Sequence, residues 1–443
     1  MRLPRARPGA AAVQVPGDKS ISHRALILSA MLPEPTSIAG LNRGADVRAT
    51  VAALRSLGAT IHLPATANKA ATVRGVAQLR DPGRALDCGN SGSTMRLLMG
   101  FAAGRVNAVL DGDASLRRRP MARVAIPLRL MGAEIELRAG EYAPVTMHRS
   151  PDGLEGVDYR LPVASAQLKS ALLVAGLRAH GITRVSSPEP TRDHTERMLR
   201  LMHASVAIGP RARGRTSVVC TVRPSRLRGP KRINVPGDFS SAFYLLAAAA
   251  ALPAGSLRLV GVGINPTRTA ALAVARDMGV DIRIHNRRAQ SGEPVGDLVV
   301  RGGAVLRAVD VRRSLVPLLI DEIPAICALA AIARGTSRIE GAAELRRKES
   351  DRIATTVELV RSFGAQARPR ADGMTVTGTA SLRSPATADT HGDHRIGLAA
   401  AILAAAVGAP LEIANAECIA TSFPGFLRTW RAAFGSSRGS PRP

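Results

Sequence analysis

The sequence predicts an α/β protein made of two similar lobes. Its 443 residues exceed the length that a single hydrophobic core usually supports. Leucine- or methionine-rich helical patterns run repeatedly into a short turn and then a β-like pair, as at 53–61 and 126–135. Val-Pro-Gly-Asp occurs at 15–18 and again at 235–238, each time before a helical pattern. The simplest interpretation is two lobes of repeated α/β units with a cleft between them. Further turns of the same kind lie at 198–206, 274–282 and 357–365.

The two ends of the chain have a biased composition. Residues 1–12 are rich in arginine, proline and alanine, and residues 435–443 are rich in glycine, serine, arginine and proline. We expect both ends to be frayed, with a disordered tail at 436–443.

The composition predicts a cytoplasmic protein with no membrane association. Hydrophobic residues make up 46% of the chain, but no apolar run reaches the length of a membrane span and no secretory pattern follows Met1. The cysteines lie far apart with no CxxC pair, which predicts neither a metal site nor a disulfide framework. They are Cys88, Cys220, Cys327 and Cys418.

The chain is strongly basic, with a formal net charge of +27. Such an excess raises the question of nucleic acid, but the basic residues are scattered and only 2% of residues are aromatic. We therefore expect no specific nucleic-acid partner. Lysine occurs only at positions 19, 69, 169, 231 and 348. A compact, titratable ammonium group can be specifically required where lysine persists in so arginine-rich a chain.

The stretch 15–28 predicts an anion site at the start of a helix. Residues 16–18 are typical of a turn, and the apolar residues that follow recur at helical spacing. Lys19 and Ser20 then lie at a helix N-terminus, where free N–H groups and the helix dipole attract anions, and Arg24 lies one turn further on. A capped amphipathic helix with solvated charges is the alternative.

Four further stretches of the first half place polar residues at predicted helix starts. Residues 87–100 form a glycine-spaced turn before a helix, but they lack the ending of a Walker A loop. Residues 111–121 contain three arginines, one of which can hold a carboxylate at the helix that begins near Pro120. Ser165 and Gln167 precede an apolar helix, and residues 191–196 show an approximate capping box from Asp193 to Glu196. For each stretch a purely structural role is the alternative to a functional one.

The second half supplies carboxylates. Asp321 and Glu322 interrupt an otherwise apolar stretch, where adjacent charges are costly unless they are paired or used. Residues 344–352 are a dense charge cluster at a helix start, from which Lys348, Glu349 and Arg352 can project together. Arg395 lies at another predicted helix start.

Taken together and in this order, these stretches resemble the 5-enolpyruvylshikimate-3-phosphate synthase family over about residues 13–426. The motifs that carry the resemblance are PGDKSISHRA, GNSGST.R, GDASL..RPM, SAQLKSA, TRDHTE, DEIP, LR.KESDR and DHRI. The resemblance implies two lobes, each of three similar α/β units with inward-facing helices (an inverse α/β barrel), joined by two crossovers. It places residues 16–235 in one lobe, and residues 1–15 with 236–443 in the other.

The resemblance also implies an activity in chorismate and aromatic amino acid biosynthesis. The family transfers the enolpyruvyl group of phosphoenolpyruvate to shikimate 3-phosphate and releases phosphate through a tetrahedral intermediate. It uses no metal and no organic cofactor. A monomer acting on small molecules is expected.

Matching the family's motifs onto this chain assigns residues to each substrate. Shikimate 3-phosphate would be held by Lys19, Ser20, Arg24, Ser165, Ala166, Gln167, Arg192, Asp321 and Lys348. Phosphoenolpyruvate would be held by Lys19, Gly92, Arg119, Gln167, Arg352 and Arg395. Asp321 would accept the proton of the attacking 5-hydroxyl, and Glu349 would exchange a proton with the methylene carbon, for which Lys19 is an alternative donor.

The chain departs from the family pattern at a few positions. Thr421 stands where some relatives have Lys, so one phosphoenolpyruvate contact is not supplied there. Ala166 stands where other members have Ser, and Glu344 where some have Asn; both alter contacts with the sugar ring. Gly92, rather than a bulkier Ala, leaves room beside the phosphoenolpyruvate pocket and predicts sensitivity to glyphosate.

Two other functions fit the sequence less well. The related transferase that acts on UDP-N-acetylglucosamine typically has a cysteine in the loop corresponding to 111–120, and this chain has none there. A non-catalytic nucleic-acid-binding protein would account for the charge, but not for Asp321, Glu349 or the order of the motifs.

Overall fold

The computed structural model describes residues 1–66, 68–210 and 218–435. The chain forms two compact units. The N-terminal unit comprises residues 17–235 and 289–293, and the C-terminal unit comprises residues 1–16, 236–288 and the chain from 294 onward. The predicted disordered tail, 436–443, lies outside the described residues.

Helices and strands are interspersed along the described chain. The helices are α1 (Lys19–Ser29), α2 (Ala45–Ser56), α3 (Gly92–Ala102), α4 (Ala122–Leu130), α5 (Ala166–Gly176), α6 (His194–Leu201), α7 (Phe239–Ala250), α8 (Ala270–Asp277), α9 (Val316–Leu319), α10 (Ile323–Ala330), α11 (Arg352–Ser362), α12 (His394–Val407) and α13 (Phe426–Phe434). The strands before residue 210 are β1 (Arg2–Leu3), β2 (Ala10–Val13), β3 (Thr36–Ala39), β4 (Thr60–His62), β5 (Ala71–Arg74), β6 (Leu86–Asp87), β7 (Ala108–Asp111), β8 (Ile135–Arg138), β9 (Tyr142–Met147), β10 (Asp158–Arg160), β11 (Thr183–Ser187) and β12 (Val206–Pro210). The later strands are β13 (Val218–Val222), β14 (Arg232–Asn234), β15 (Ser256–Gly263), β16 (Asp281–Gln290), β17 (Glu293–Arg301), β18 (Asp310–Val311), β19 (Thr336–Ile339), β20 (Gln366–Arg370), β21 (Gly373–Thr377), β22 (Thr387–Asp389) and β23 (Leu411–Ala414).

One sheet pattern recurs in the three sheets of the N-terminal unit. In the N-terminal unit the strand orders are β14-β3-β5-β4, β6-β7-β9-β8 and β10-β11-β13-β12. In each of these sheets the first pair is parallel and the other pairs are antiparallel. The C-terminal unit has the orders β16-β17-β15-β2, β18-β19-β21-β20 and β1-β23-β22. The prediction of repeated α/β units is confirmed.

The strands bury one face, as their alternating side chains require. In β3, Thr36 and Ile38 are buried whereas Ser37 and Ala39 are only partly covered. Ile38 pairs with Ile233 of β14 on one side and with Ala71 of β5 on the other, and all three are fully buried. Their common face therefore forms the apolar surface on which the helices pack.

Three helices of the N-terminal unit are buried on nearly all sides. The buried residues of α1 run continuously from Ile21 to Ser29, and those of α5 from Leu168 to Gly176. Helix α3 packs directly on α5. At their contact, a Cβ atom at Gly100 would lie only 2.2 Å from the carbonyl oxygen of Ala171. A residue without a side chain is needed at such a close approach.

The C-terminal unit has the same internal arrangement. All residues of α7 and α10 are buried, as are those of α12 from His394 to Ala405. These helices are rich in alanine, whose small side chain permits close packing. Two hydrophobic clusters result, one within each unit.

The expectation that residues 1–12 are frayed is wrong. β2 pairs in parallel with β15, and β1 pairs antiparallel with β23. The terminal ammonium group of Met1 donates to Glu412 Oε1 at 2.9 Å. Pro4 and Pro8, which lack a backbone N–H, lie outside β1 and β2, so the proline-rich composition did not prevent strand formation.

Candidate active site

The opening motif forms the predicted helix start. Asp18 is the N-cap of α1 and accepts a hydrogen bond from the backbone N–H of Ile21 at 2.8 Å. Lys19 is the first helical residue, and its Nζ lies 2.8 Å from Asp46 Oδ2, with the lysine side chain 15% exposed. Ser20 is half-buried beside it. An ammonium group and a helix N-terminus are therefore partly open together, as an anion site requires.

Arg24 holds three helices together. Its Nε donates to Thr195 Oγ1 at 2.7 Å, and its Nη2 donates to Ser170 Oγ at 2.8 Å. Its Nη1 donates to the carbonyl oxygen of Ser20 at 2.9 Å. Burial lowers the pKa of Arg24 to about 10, although Glu196 favours the charged form. Much of its donor capacity is thus used within the protein.

The glycine-spaced turn at 87–92 opens α3 as predicted. Ser91 is the N-cap and accepts from the N–H of Thr94 at 3.0 Å. Gly92 is buried, and a Cβ atom there would lie 3.0 Å from Arg96 Nη1 and 3.6 Å from Arg119 Nη1. Two guanidinium groups therefore converge on the backbone of Gly92.

Arg119 is the one buried arginine of the loop that precedes α4. It is 6% exposed, and its Nη2 donates to Asn90 Oδ1 at 2.6 Å and to Ser115 Oγ at 3.0 Å. Arg117 instead forms an ion pair with Asp111. The loop thus provides one positioned guanidinium group, and that it holds a carboxylate stays a prediction.

The start of α5 adjoins the start of α3. Ser165 is the N-cap and accepts from the N–H of Leu168 at 3.4 Å. Gln167, in the first turn after Ala166, donates from Nε2 to Ser93 Oγ at 2.8 Å and accepts from Arg96 Nη1 at 2.6 Å. Arg96 was not among the predicted binding residues. Its position one helical turn after Gly92 was the available signal.

The predicted capping box at the start of α6 is wrong. Asp193 is at the N-cap position but makes no capping hydrogen bond with its side chain, which accepts from Arg197 Nε at 2.9 Å. Glu196 is fully buried and lies 2.5 Å from Lys169 Nζ. An unpaired buried carboxylate costs more free energy than an incomplete capping box. The ion pair with Lys169 therefore decides the orientation of Glu196. Arg192, half-buried, precedes this helix.

In the C-terminal unit, Arg352 lies among three carboxylates. Its Nη1 donates to Asp321 Oδ1 at 3.2 Å, its Nη2 to Glu349 Oε2 at 2.6 Å, and its Nε to Asp393 Oδ2 at 2.8 Å. Burial alone would lower the pKa of Arg352, but Asp393, Glu349 and Asp321 together hold that pKa well above its ordinary value. The cation is permanent, and the side chains of Asp321 and Glu349 remain 19% and 17% exposed.

Arg395 and Lys348 lie near the same carboxylates. Arg395 is 5% exposed, and its guanidinium carbon lies 5.5 Å from the ring centroid of Tyr244. Against the effect of burial, Asp321 and Tyr244 raise the pKa of Arg395. Burial lowers the pKa of Lys348, against the opposing effect of Asp321.

The predicted site residues thus form two sets. The starts of α1, α3 and α5 bring together Lys19, Ser20, Arg24, Gly92, Arg119, Ser165, Ala166 and Gln167 in the N-terminal unit, with Arg192 ahead of α6. Asp321, Lys348, Glu349, Arg352 and Arg395 come together in the C-terminal unit. Sequence analysis did not select Asp46, Asp393 or Arg268, which lies 3.7 Å from Asp321. Thr421 donates to the carbonyl oxygen of Cys418 at 2.7 Å.

Neither a metal-binding cluster nor a membrane-spanning helix is found in the described ranges. Within residues 1–66, 68–210 and 218–435, no cluster of three or more His, Cys, Asp or Glu residues could hold a metal ion. No helix in this part of the chain has both the length and the apolar character that crossing a membrane requires.

Comparisons with known proteins agree on one family. The family model for EPSP synthase (3-phosphoshikimate 1-carboxyvinyltransferase) matches residues 6–430. The 3-phosphoshikimate 1-carboxyvinyltransferase of Halorhodospira halophila is 47% identical over 433 residues, covering 96% of this chain and 95% of that protein. The enzyme of the same name from Acidithiobacillus ferrooxidans is 48% identical over 425 residues, covering 95% of each.

Solved structures agree with these sequence relatives. The EPSP synthase of Acinetobacter baumannii has a TM-score of 0.82 and 37% identity over 98% of both chains. The enolpyruvyl transferase NikO from Streptomyces tendae, at 18% identity and a TM-score of 0.72, covers 98% of this chain and 96% of its own and shares the fold. The predicted two-lobed enolpyruvyl transferase fold is confirmed, and the chain belongs to the EPSP synthase (3-phosphoshikimate 1-carboxyvinyltransferase) family of transferases.

Proposed function

We propose that the chain transfers the enolpyruvyl group of phosphoenolpyruvate to the 5-hydroxyl of shikimate 3-phosphate and releases phosphate. The observation that carries this proposal is the shared contact of Asp321 and Glu349 with Arg352, which places two partly exposed carboxylates around one permanent cation. Family membership supports the identity of the substrates.

The cations match the charge of these substrates. Each phosphate carries about 1.5 to 2 negative charges at neutral pH, and each substrate adds a carboxylate. The N-terminal unit supplies Lys19 and Arg119 at helix starts, and the C-terminal unit supplies Lys348, Arg352 and Arg395. At an effective dielectric constant near 20, a contact pair is worth about 4 kcal/mol before desolvation, so several cations are needed.

We assign the residues to the two substrates by their motifs. The residues proposed to hold shikimate 3-phosphate are Lys19, Ser20, Arg24, Ser165, Ala166, Gln167, Arg192, Asp321 and Lys348. The residues proposed to hold phosphoenolpyruvate are Lys19, Gly92, Arg119, Gln167, Arg352 and Arg395. Most contacts with shikimate 3-phosphate then come from the N-terminal unit, whereas the carboxylates, Arg352 and Arg395 come from the C-terminal unit.

The reaction is an addition followed by an elimination. In the addition, Asp321 takes the proton of the 5-hydroxyl, the freed oxygen forms a bond to C2 of phosphoenolpyruvate, and the electron pair of the C2–C3 double bond takes a proton at C3. Glu349 exchanges the C3 proton, with Lys19 as the alternative donor. In the elimination, C3 loses a proton, the double bond re-forms and the C2–O bond to phosphate breaks.

We further propose that the protein works as a cytoplasmic monomer on small molecules alone. Its cysteines are free, which is typical of a reducing compartment. Activity should then not depend on a second copy of the chain. Light scattering at assay concentrations measures the oligomeric state directly.

The substrate test measures inorganic phosphate release with phosphoenolpyruvate and one of two acceptors. Shikimate 3-phosphate should support release, and UDP-N-acetylglucosamine should not. The opposite preference, or no release with either acceptor, would contradict the proposal. A filter-binding assay with DNA across a salt series is the companion measurement, because salt-sensitive binding without phosphate release would favour a nucleic-acid-binding function.

A further inference from the structure

Arg268 is a buried arginine beside Asp321 that belongs to neither set of proposed substrate-binding residues. It lies between β15 and α8 and is 2% exposed. Its Nη1 lies 3.7 Å from Asp321 Oδ2, and its Nη2 donates to Ser240 Oγ at 2.8 Å. Its guanidinium carbon lies 5.9 Å from the ring centroid of Phe239. Burying a guanidinium group is costly unless an opposite charge lies close to it. Asp321 is such a charge, so the two side chains are expected to act on each other.

A second buried group binds one nitrogen of the Arg268 guanidinium. Ser240 Oγ, which accepts from Arg268, donates in turn to Glu322 Oε1. Both Ser240 and Glu322 are fully buried. The adjacent carboxylates of the sequence are therefore used differently: Glu322 anchors the serine that orients Arg268, whereas Asp321 remains partly exposed.

The internal repeat supports a positioning role for Ser240. Asp18 and Asp238 both cap a helix and accept from the N–H three residues later, at 2.8 Å and 2.7 Å. Ser20 and Ser240 occupy the equivalent second position of α1 and α7. Ser20 is half-buried and is proposed to bind substrate, whereas Ser240 is fully buried and binds Arg268. In the C-terminal unit, the serine at this helix start therefore orients the guanidinium group of Arg268.

We propose that Arg268 is a positioning residue of the reaction, which orients the Asp321 carboxylate and compensates its charge while it serves as the proton acceptor. This inference rests on the proposed function, in which Asp321 takes the proton of the 5-hydroxyl. Arg352 donates to Oδ1 at 3.2 Å and Arg268 Nη1 lies 3.7 Å from Oδ2, so each oxygen of the carboxylate faces a guanidinium group. A positive charge this close to an aspartate favours its ionised form.

Other charged groups also act on Asp321. Arg352 on α11, Lys348 just before α11 and Arg395 on α12 all interact favourably with its charge. Glu322 adjoins it in sequence, and Glu349 lies on the far side of Arg352. The hydroxyl of Tyr244 on α7 donates to the backbone carbonyl of Asp321 at 3.0 Å. Because Arg352 and Arg395 remain when Arg268 is replaced, the expected result is a shifted pH dependence rather than complete loss of activity.

The test compares pH profiles of kcat/KM for shikimate 3-phosphate in the wild type, R268Q and R268K. In R268Q the acid limb should move to higher pH by about one unit. At neutral pH, above the acid limb, kcat should still fall by about tenfold because the carboxylate loses its fixed orientation, with both KM values changed by less than about threefold. R268K retains the charge, so its acid limb should stay near that of the wild type. An R268Q variant that loses activity equally at all pH values, or loses none, would overturn the inference.

Further variants cover the case in which R268Q fails to fold. Ser240→Ala removes the group that orients Arg268 and should shift the acid limb in the same direction by a smaller amount. Ser241→Ala, the same substitution at the neighbouring buried residue, is the matched control and should leave the limb in place. A folded Ser240→Ala variant with an unchanged limb would also overturn the inference. Wild-type protein that releases no phosphate would instead overturn the proposed function.

Discussion

Arg352 and Asp393 form a buried ion pair, with Nε and Oδ2 2.8 Å apart and side chains only 1% and 0% exposed. Asp393 is also the N-cap of α12, where its Oδ1 accepts from the backbone N–H of Arg395 at 2.9 Å. One carboxylate therefore positions both arginines of the C-terminal unit that are proposed to hold phosphoenolpyruvate.

This arrangement predicts the effect of Asp393→Asn. The amide retains the size of the side chain and can still cap α12. It lacks the negative charge that the Asp393 carboxylate places beside buried Arg352. We expect the KM for phosphoenolpyruvate to rise about tenfold and the free energy of unfolding to fall by about 1–3 kcal/mol. Steady-state kinetics and urea denaturation measure the two effects. Glu358→Gln, at a side chain that is 64% exposed, is the control and should change stability by less than about 0.5 kcal/mol. An unchanged KM in Asp393→Asn would contradict the prediction.

The two carboxylates bound by Arg352 should affect turnover more than binding. Asp321→Asn and Glu349→Gln keep the shape of each side chain but remove its ability to take up a proton. We expect kcat to fall by about 10²- to 10⁴-fold in each variant, with KM values within a few-fold of the wild type. Asp310→Asn, at an exposed carboxylate paired with Arg338, is the matched control and should retain full activity. If either site variant turned over at the wild-type rate, its residue would not be the proposed proton carrier.

Gly92 should control access to the phosphoenolpyruvate site. An added Cβ atom would lie 3.0 Å from Arg96 Nη1, closer than ordinary van der Waals contact, so Arg96 would have to move. We expect Gly92→Ala to raise the KM for phosphoenolpyruvate several-fold and to weaken inhibition by glyphosate. The wild type should be inhibited by micromolar glyphosate at low phosphoenolpyruvate. Gly9→Ala is the control, because nothing lies within 4 Å of a Cβ atom at Gly9. Equal inhibition of Gly92→Ala and the wild type would count against this role.

Asp297 should make stability depend on pH in the acid range. Burial alone would raise the pKa of Asp297, but hydrogen bonds from Arg258, the backbone N–H of Gly261 and Asn286 lower it to about 2. A folded-state pKa below the unfolded value stabilises the protein above the unfolded pKa, near 3.9, and this stability is lost as the pH falls toward 2.

The corresponding experiment measures urea denaturation at several pH values from neutral down to the acid limit of folding. Asp297→Asn should lower the free energy of unfolding by about 1 kcal/mol at neutral pH, where the exposure of Arg258 limits the contribution of the pair. The difference from the wild type should shrink below pH 4. A constant difference across this range would show that the effect does not come from ionisation.

Local sequence signals predicted the helix starts well. Turn residues before Lys19, Gly92 and Ala166 specify where each helix begins, because a cap and the first turn involve only neighbouring residues. The same reasoning failed where a distant partner competed. Glu196 pairs with Lys169 rather than completing a capping box, and residues 1–12 pair with strands from the distant second half of the chain.

The residues that surround Asp321 show the same limit. Its charge in an apolar stretch marked it as a candidate site residue from sequence alone, and the spacing of Glu349 and Arg352 predicted their contact. Nothing in the linear pattern connects Asp321 with Arg268, or Arg352 with Asp393, since the members of each pair lie on separate elements far apart in the chain.

The amino-acid sequence by itself determined the repeated α/β units, the helix starts and the chemical types of the proposed site groups, because periodicity and capping act over a few neighbouring residues. Only the tertiary structure decided which cation lies on which carboxylate. Burial makes an unpaired charge costly, and whichever opposite charge the packed helices bring within reach becomes its partner. Arg268 is the clearest case, because its position in the chain does not indicate the carboxylate beside which it lies.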